Sequence, residues 1–429
     1  MDLLPPPGAG GNTVRILMIN YEYPPLGGGG GVIHRATAVE LATRHEITVL
    51  TSGMSGLPRE EVQDGLRILR VPVLGRRGLP TASIPSMLSF FASSLVDGGW
   101  RLRRGSFQLV HTHFAVPTGP SAVLLARALG LPHVLSIHGG DLFDPSKKLS
   151  PHRVAPLRAA VRWVLRSVDR VVAQSRNTRQ NVYRYYGVNR EVDLIPHGIP
   201  RPSFRPASRA ELGFGDPKFL LVTVGRLVRR KGLGQLLEAV VRLRDTGTAL
   251  AIVGSGPQEE ELRRRAAEMG IADCVFFTGA VDEERKYQIL AASDLYVSTT
   301  LHEGFGLVYL EAMQAGLPVV SYGYGGQSDF LRDGETGALV APGDVAAFVL
   351  AARGLLQDPA SRERMARRGG EVASLYSIGA CARAYERLYE ETLKDLPGAS
   401  RKELIVCPGV ESVLGRSFRE VPERSVKVT

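Results

Sequence analysis

The stretch DLYVSTTLHEGFGLVYLEAMQAGLPVVSYG (294–323) contains one complete strand–helix–strand unit. It begins with a β-type run, passes through a glycine turn into a short helical segment, and ends in a second apolar run after Pro318. Two strands joined through a helix pair in parallel, because the crossover connection brings the chain back to the same edge of the sheet. The stretch therefore predicts a parallel α/β sheet.

The same alternation extends over most of the chain. Short β-type runs are each followed by a turn and an amphipathic segment of helical length. These runs lie at 14–20, 46–52, 107–113, 133–138, 169–175, 219–225, 249–254, 274–279, 294–300 and 318–323. After residue 346 the pattern is helical only. The fold class expected is α/β, with two parallel sheets.

A segment rich in Pro, Gly and polar residues, IPHGIPRPSFRPASRAELGFGDPK (195–218), separates the two series of strands. No helix or strand accepts this composition, so the segment is interpreted as a linker. We therefore predict two Rossmann-like domains, over 1–200 and 201–375, a closing helix over 376–395 and a loose tail over 396–429. A chain of 429 residues is long enough for two such domains.

The composition is that of an ordinary globular protein, with 44% hydrophobic and 22% charged residues. The formal net charge of +10 calls for an anionic partner, which is a nucleic acid, a membrane surface or a phosphate-bearing substrate. Cys274, Cys381 and Cys407 are few, odd in number and widely spaced. They indicate neither a disulfide framework nor a cysteine-based zinc site, so a reducing cytoplasm is expected.

The beginning of the chain, residues 1–13, is rich in Pro and Gly and lacks the apolar core of a secretory signal. No uninterrupted apolar stretch of about 18 residues occurs in the sequence. We therefore expect neither a secretory signal nor a membrane-spanning segment.

Five consecutive glycines, 27–31, lie between the first strand and the following helix. In a βα turn, glycine lets backbone N–H groups approach a phosphate. Gly28, Gly29 and Gly30 are therefore candidate phosphate-binding residues. The alternative interpretation is a flexible turn. No G-x-G-x-x-G spacing occurs, which argues against a nicotinamide oxidoreductase.

The second domain opens with a strand that runs into GRLVRRKG (225–232). This spacing places Arg226 and Lys231 at the carboxyl end of the strand, the edge at which open α/β sheets bind ligands. A guanidinium and an ammonium in one turn can bracket a pyrophosphate. Solvated surface charge is the alternative interpretation.

The carboxylates of Glu303 and Glu311 stand eight residues apart, the first before a glycine turn and the second inside the helix. Glu311 has apolar neighbours, so its carboxylate must be paired or hydrogen-bonded. A structural salt bridge would also satisfy it. His138, in SIHGGD (136–141), ends a strand of the first domain. It is a candidate site residue or a satisfied strand-end histidine.

Taken together, these motifs resemble the retaining glycosyltransferases of family four from the first strand to the last helix. The E-x7-E pattern is the most specific mark, and the glycine loop, the basic turn and His138 accompany it. The resemblance implies a GT-B architecture, in which two Rossmann-like domains face each other across a cleft. It also implies transfer of a hexose-type sugar from a UDP- or GDP-linked donor to a glycan, lipid-linked or small-molecule acceptor. No nucleic-acid partner is expected.

The resemblance assigns a role to each matching residue. Glu311 would accept hydrogen bonds from the ribose hydroxyls, and Glu303 would bind hydroxyls of the transferred sugar. His138 would lie near the anomeric carbon. The glycine loop and the basic turn would contact the donor. The backbone N–H groups of Phe305, Gly306 and Leu307, at the start of the helix, would bind the sugar and the distal phosphate. The side chains of Arg226 and Lys231 would hold the leaving diphosphate.

Neither a metal nor another cofactor is expected, because the chain contains no D-x-D and the family resemblance implies metal-independent transfer. His111 and His113 form an H-x-H that is read as part of the cleft wall. A front-face displacement with retention of configuration is the implied route. The chain departs from the family pattern at His197-Gly198-Ile199-Pro200, in place of N-G-I-D, and at GGQSD (325–329), in place of G-G-x-P-E.

A possible membrane contact is suggested by PHRVAPLRAAVRWVLRSVDR (151–170), which is predicted to form one helix. Its arginines recur every fourth residue, at Arg158, Arg162, Arg166 and Arg170. This row would suit an anionic lipid surface at the inner face of the cytoplasmic membrane. The alternative is that the apolar face packs on the first domain and leaves the arginines solvated.

Two further readings of function stay open beside transfer to an acceptor. A non-catalytic sugar-nucleotide-binding protein would share the donor residues, but the presence of His138 and both glutamates argues against it. A sugar phosphorylase of similar fold would use orthophosphate as the acceptor.

Overall fold

The computed structural model describes residues 13–76, 78 and 83–394. The chain divides into two compact units. The first contains the described residues up to Gly198 together with those from Ile378 onward, and the second runs from Ile199 to Ser377. The tail predicted over 396–429 and nearly all of the Pro- and Gly-rich beginning of the chain lie outside the described residues.

The first unit is built on an eight-stranded sheet whose order is β3-β4-β2-β1-β5-β6-β7-β8. All neighbouring strands pair in parallel except β3 and β4, which form an antiparallel pair at one edge. The five strands predicted here are present, with ends within two residues of the prediction. The strands are β1 (Arg15–Asn20), β2 (Glu46–Ser52), β3 (Glu60–Gln63), β4 (Leu66–Val71), β5 (Leu109–His113), β6 (His133–Ile137), β7 (Arg170–Ala173) and β8 (Asp193–Leu194).

Among the described residues, six α-helices accompany this sheet before the chain enters the second unit. A π-helical turn, Ser94–Gly98, joins the second helix to the third. Serine side chains cap two of the helices, with Ser83 accepting from the backbone N–H of Ser86 and Ser175 from that of Thr178. The helices are α1 (Gly29–Ala42), α2 (Ile84–Ser93), α3 (Gly99–Leu102), α4 (Gly119–Leu129), α5 (Ala155–Ser167) and α6 (Arg176–Tyr186).

Helix α5 is shorter than the helix predicted over 151–170. Arg170 is the first residue of β7, and its guanidinium donates to the Asp193 carboxylate at 2.7 Å. The prediction of four arginines on one helix is therefore wrong for Arg170, because Val168 takes an extended conformation that ends the helix. The apolar face of α5 is buried in the core of the first unit, while Arg158, Arg162 and Arg166 are exposed.

The second unit contains a six-stranded sheet of order β11-β10-β9-β12-β13-β14. Every pair of neighbouring strands is parallel. The five predicted strands are again present within two residues, and only the edge strand β14 was missed. The strands are β9 (Phe219–Val224), β10 (Thr248–Val253), β11 (Val275–Gly279), β12 (Leu295–Ser298), β13 (Val319–Tyr322) and β14 (Gly337–Val340).

Helices cover this sheet through a leucine- and valine-rich core. They are α7 (Leu233–Leu243), α8 (Glu259–Glu268), α9 (Glu283–Ala291), α10 (Leu307–Gln314), α11 (Val345–Gln357) and α12 (Pro359–Ser374). The predicted α/β fold class is confirmed, since both units consist of a largely parallel sheet with crossover helices.

The helix α13 (Ile378–Lys394) belongs to the first unit. The Tyr385 hydroxyl is hydrogen-bonded to the Ser136 hydroxyl at 2.8 Å, and the Tyr389 hydroxyl to Nδ1 of His111 at 2.7 Å. The end of the described chain is thereby tied to β5 and β6. None of the described helices combines the length and the apolar character needed to cross a bilayer.

Buried histidines are a feature of the first unit's core. His111 and His113 are 0% and 2% exposed, so they are core residues and the expectation that they line a wall is wrong. The ring of His113 lies between those of His34 and His111, at centroid distances of 4.1 and 4.4 Å. Burial lowers the pKa of all three rings, to about 3 for His34.

His133 allows a direct test of whether burial lowers the pKa of a core histidine. Burial lowers its pKa to about 3, and its Nε2 is hydrogen-bonded to the Thr112 hydroxyl at 2.7 Å. In the unfolded chain the imidazole of His133 has an ordinary pKa of about 6.5. The contribution of neutral His133 to stability is therefore fully present above that pH and is lost as the pH falls towards 3. We predict that His133→Gln destabilises the protein at pH 7.5 by about 2 kcal/mol more than at pH 5.

Denaturant unfolding of the parent and the variant at the two pH values measures this difference. His152→Gln is the matched control, because His152 is only partly buried and its pKa is lowered less. An equal cost of His133→Gln at both pH values would show that the buried imidazole does not titrate on unfolding.

Candidate active site

The strand order of the second unit creates a crevice at one end of its sheet. After β9 the chain moves outward through β10 and β11, and it then returns to form β12 on the other side of β9. The loops that follow β9 and β12 therefore leave the sheet in opposite directions. Ligands of open α/β sheets bind at such switch points, outside the carboxyl ends of the strands.

The loop after β9 contains the predicted basic turn. It passes through Gly225, a short 3-10 turn over Arg229–Lys231 and Gly232, whose φ is +63°. A Cβ atom at Gly232 would overlap the carbonyl oxygen of Thr299, which follows β12. This close approach, together with the positive φ, explains the glycine and brings the two loops together.

The contact between these loops is an ion pair. Nζ of Lys231 donates to Oε2 of Glu303 at 2.6 Å, and Nη1 of Arg230 lies 3.3 Å from the same oxygen. The side chains of Lys231 and Glu303 are only 11% and 14% exposed. Burial by itself raises the pKa of the Glu303 carboxyl, but the two cations outweigh burial and hold the pKa at about 2. Glu303 is therefore an anion at neutral pH.

Arg226 differs from Lys231 in its surroundings. Its side chain is exposed, and it forms no ion pair with any residue in the part of the chain that the structure describes. The predicted pair of cations thus consists of one residue already engaged by Glu303 and one available to a ligand. Arg230 was missed, although the run of three basic residues at 229–231 was visible in the sequence.

Glu311 lies on α10 and is paired with a lysine from α9. Nζ of Lys286 donates to Oε1 of Glu311 at 2.9 Å and to the Glu283 carboxylate at 2.8 Å. Oε2 of Glu311 is buried and accepts no hydrogen bond from the described residues. Burial raises the pKa of the Glu311 carboxyl, and Lys286 opposes this shift without cancelling it. Sequence reasoning missed Lys286, since its partner is 25 residues away.

The glycine turn between Glu303 and α10 is held by the loop after β13. The backbone N–H of Gly326 donates to the Glu303 carbonyl at 2.8 Å, and a Cβ atom at Gly326 would overlap the Gly304 carbonyl. Gln327 is fully buried, and its amide donates to the carbonyls of Tyr322 and Tyr324 at 3.1 and 2.7 Å. Gln327, at the variable position of the G-G-x-P-E pattern, therefore supports the loop.

The start of α10 presents the three residues predicted to bind through their backbone. Gly306 has a φ of +97° and directs the chain into the helix, whose first residue is Leu307. The Phe305 ring is 4% exposed and contacts the Phe330 ring at a centroid distance of 5.4 Å. The first N–H groups of a helix have no intrahelical acceptors, and the helix dipole favours an anion at this end.

The first unit has a second switch point, between β1 and β5, where the glycine loop begins α1. A Cβ atom at Gly30 would overlap the Phe114 ring, whereas Cβ atoms at Gly28 and Gly29 would meet nothing within 4 Å. The backbone N–H of Gly28 donates to Oε2 of Glu22 at 3.1 Å. Gly30 is therefore required for packing. Neighbouring atoms leave room around Gly28 and Gly29, and the N–H of Gly28 already has Glu22 as its acceptor.

His138 follows β6 and is only partly buried. Its Nε2 is hydrogen-bonded to Nδ1 of His113 at 3.0 Å, and its ring stacks on those of Phe114 and His197 at 4.3 and 5.1 Å. Its backbone N–H donates to Oδ1 of Asp141 at 2.9 Å. Burial lowers the pKa of His138 well below the ordinary value, so the imidazole is neutral at pH 7.

Two residues that position His138 were missed in the sequence. Phe114 has a φ of +72°, which is rare for a bulky residue and turns its ring towards His138 and the glycine loop. Asp141 accepts from the backbone N–H groups of Ala115 and His138, and burial raises its carboxyl pKa to about 6. The aspartate in SIHGGD was the available signal. Among the described residues, no cluster of three or more His, Cys, Asp or Glu side chains is arranged to hold a metal ion.

Comparison with known families assigns both halves of the chain. Residues 27–201 match the model described as Glycosyltransferase Family 4, and residues 204–372 match the model described as Glycosyl transferases group 1. These two regions contain every residue proposed above for the site. The resemblance inferred from the motifs is therefore confirmed.

Individual relatives agree with the family models. Glycogen synthase of Mycobacterium tuberculosis is 30% identical over 372 residues, covering 82% of this chain and 89% of its own. The fold matches sucrose-phosphate synthase from Thermosynechococcus elongatus with a TM-score of 0.76 at 22% identity, over 89% of this chain and all of that one. It also matches the Anabaena protein HepE in complex with UDP, with a TM-score of 0.71 at 19% identity over the same shares. The chain is a glycosyltransferase and belongs to the group 1 glycosyltransferases of family 4.

Proposed function

We propose that this protein is a retaining hexosyltransferase that uses a UDP- or GDP-linked sugar as its donor. The observation that carries the proposal is the arrangement of two largely buried carboxylates on either side of the α10 N-terminus, each compensated by a lysine. Glu303 is held as an anion just before the start of α10, and Glu311 lies on α10 about one turn after its first residue. Such preorganised charges suit recognition of hydroxyl groups next to a diphosphate.

Glu311 would recognise the ribose in this proposal. One of its oxygens is fixed by Lys286, and the other has no donor among the described residues. A buried carboxylate oxygen without a donor is costly, and a ribose hydroxyl would remove that cost. Lys286 would act as a positioning residue, because it fixes the carboxylate without being assigned a contact with the donor.

Glu303 would bind hydroxyls of the transferred sugar. An ionised carboxylate accepts about four hydrogen bonds, so Lys231 and Arg230 leave acceptor capacity for the sugar. The backbone N–H groups of Phe305, Gly306 and Leu307 would contact the sugar and the distal phosphate at the positive end of α10.

The diphosphate that leaves would be stabilised by Arg226 and Lys231. Negative charge builds on the departing oxygen as the bond to the anomeric carbon breaks, and preorganised cations stabilise that charge. Arg226 is exposed, and Lys231 lies five residues later, at the end of the 3-10 turn. Two such side chains supply the charge neutralisation that a divalent ion supplies in other enzymes.

The first unit would contribute Gly28, Gly29 and Gly30 to the diphosphate and His138 to the sugar. His138 is neutral and its ring contacts those of His113, Phe114 and His197, so it suits a hydrogen bond near the anomeric carbon. In a front-face displacement the bond from the anomeric carbon to the diphosphate breaks as the bond to the acceptor oxygen forms. The acceptor proton passes to the departing phosphate oxygen, and the configuration is retained.

Two of the similar proteins support the proposed donor classes. The Anabaena protein of the same fold binds UDP, and the relatives of this chain include a GDP-mannose-dependent mannosyltransferase of Mycolicibacterium smegmatis. The acceptor proposed is a glycan, a lipid-linked sugar or a small molecule.

A donor screen tests the proposal directly. Purified protein is incubated with UDP- and GDP-hexoses in the presence of EDTA, and release of the nucleoside diphosphate is measured. We expect hydrolysis of at least one donor, unaffected by the chelator, because Arg226 and Lys231 neutralise the diphosphate. Proton NMR of the released sugar should first show the anomer of the donor.

Three results of this screen would contradict the proposal. Loss of turnover with EDTA that Mg²⁺ or Mn²⁺ restores would overturn metal independence. Binding without turnover for every donor and acceptor supplied would identify a sugar-nucleotide-binding protein. Release of a sugar phosphate that depends on orthophosphate would identify a phosphorylase.

The two glutamates are predicted to fail differently. Glu311→Gln removes a charge-assisted hydrogen bond to the ribose, so free nucleoside diphosphate should bind roughly tenfold to a hundredfold more weakly. Glu303→Gln should leave diphosphate affinity equal or higher, because Lys231 and Arg230 lose an anionic partner that competes with phosphate. Its kcat/KM should still fall, since the sugar loses its carboxylate.

Calorimetric titration with UDP and GDP, alongside thermal melts, makes this comparison. Glu284→Gln is the matched control, because Glu284 is an exposed carboxylate on α9 outside the proposed site. If both site variants bind diphosphate like the parent but melt many degrees lower, the carboxylates are structural and the assignment of the donor site fails.

A further inference from the structure

The helical segment from α2 through the π turn to α3 has two opposite rows of side chains. Every fourth residue is buried in the first row, which consists of Ser86, Phe90, Ser94, Gly98 and Leu102. Every fourth residue is exposed in the second row, which consists of Ile84, Leu88, Ala92, Val96 and Trp100. The two rows keep their faces over the whole segment.

The π turn explains how rows with a spacing of four stay straight. In an α-helix each step of four residues goes about 40° beyond a full turn, so four steps would carry a row about 160° around the axis. The wider π turn over Ser94–Gly98 takes up part of this drift. Single-turn π segments in helices are frequently found at functional sites.

The exposed row is more apolar than the buried one. Ile84, Leu88, Val96 and Trp100 are 58%, 69%, 75% and 64% exposed, whereas the buried row includes two serines and a glycine. A helix that covers a core normally shows the reverse pattern. Large apolar side chains that lie together on a surface mark an interaction site.

Charge along this segment changes sharply at its end. Asp97 is the only carboxylate within 84–104, and it pairs with Arg59 at 2.7 Å. Three arginines, at 101, 103 and 104, then follow within four residues. The exposed row therefore runs from an uncharged end to a basic end.

A basic cavity of about 510 Å³ lies at this end of the segment. It is lined by Trp100, Gly105, Glu60 and four arginines, Arg67, Arg101, Arg103 and Arg104. Glu60 accepts from Arg67 and Arg101 at 2.8 Å each, which leaves the lining strongly positive. Arg104 is exposed and forms no ion pair with the described residues. The cavity suits a phosphate group.

We propose that the exposed row and the arginine-lined cavity together form a docking surface for a membrane that contains anionic lipid. Ile84, Leu88 and Val96 would enter the boundary between headgroups and acyl chains, with Trp100 at the interface. The cavity would bind headgroup phosphates, and its arginines would be attracted to the anionic surface.

The same properties disfavour the arginine row of α5 as the docking surface. The apolar face of α5 is part of the core, so this helix offers arginines and a single exposed Trp163 to a membrane. Association of a helix with a membrane depends on buried apolar area as well as on charge. Helix α5 therefore provides a matched control.

Sedimentation of the full chain with vesicles at low salt tests the proposal. We expect the parent to sediment with phosphatidylglycerol-containing vesicles at least tenfold better than with phosphatidylcholine alone. Arg103→Glu/Arg104→Glu should lower this binding at least tenfold, since each basic residue near such a surface contributes roughly fivefold. Leu88→Ser/Trp100→Ser should lower it to a similar degree. All four residues are exposed, and thermal melts verify that the variants fold.

Two control variants separate this surface from general charge and apolarity. Arg158→Glu/Arg162→Glu makes the same charge change on α5, and Leu350→Ser removes an apolar side chain that is 70% exposed in the second unit. Both should bind vesicles within about threefold of the parent. The proposal is overturned if the parent shows no preference for anionic vesicles, or if the α5 variant loses as much binding as the Arg103/Arg104 variant. It is also overturned if Leu88→Ser/Trp100→Ser abolishes a dimer seen by ultracentrifugation but leaves vesicle binding intact, since the row then binds a second copy.

Discussion

The buried ion pair between Glu303 and the basic turn is the interaction on which the second unit's site depends. It joins the loop after β9 to the loop after β12 at the switch point of the sheet. Leaving one member of such a pair buried without its partner costs about 3–5 kcal/mol. The two loops are therefore fixed with respect to each other before any ligand binds, and the start of α10 is fixed with them.

The surrounding backbone reinforces this constraint at close range. Gly232 allows the basic turn to contact the end of β12, and Gly326 allows the loop after β13 to contact the turn that follows Glu303. In the first unit, Phe114 contacts both Gly30 and His138, so the glycine loop and the histidine are held by one side chain. Each unit thus presents a rigid set of polar groups at its own switch point.

Much of this arrangement could be predicted from the sequence, because it depends on local patterns. Alternating apolar runs and turns identified ten strands, and the E-x7-E spacing identified the carboxylates. Partners that are distant in the chain could not be predicted, as with Lys286 and Glu311 or Phe114 and Gly30, since pairing across elements is decided by packing. Strands β3, β8 and β14 were missed because they are short and lie at or next to an edge of the sheet, so they leave no periodic pattern. Strand β4 was missed although five of its six residues are buried. The predicted row of arginines on α5 was one residue too long, because Arg170 keeps the four-residue spacing although it belongs to β7.

The central claim is that Glu303 and Lys231 act as a coupled pair that builds the site. A double-mutant cycle of Glu303→Gln and Lys231→Gln, measured by denaturant unfolding, tests it most directly. The account predicts that the double variant is destabilised less than the sum of the single variants, with a coupling free energy of about 1.5–3 kcal/mol. Additivity within about 0.5 kcal/mol would show that the two side chains contribute independently and would contradict the account.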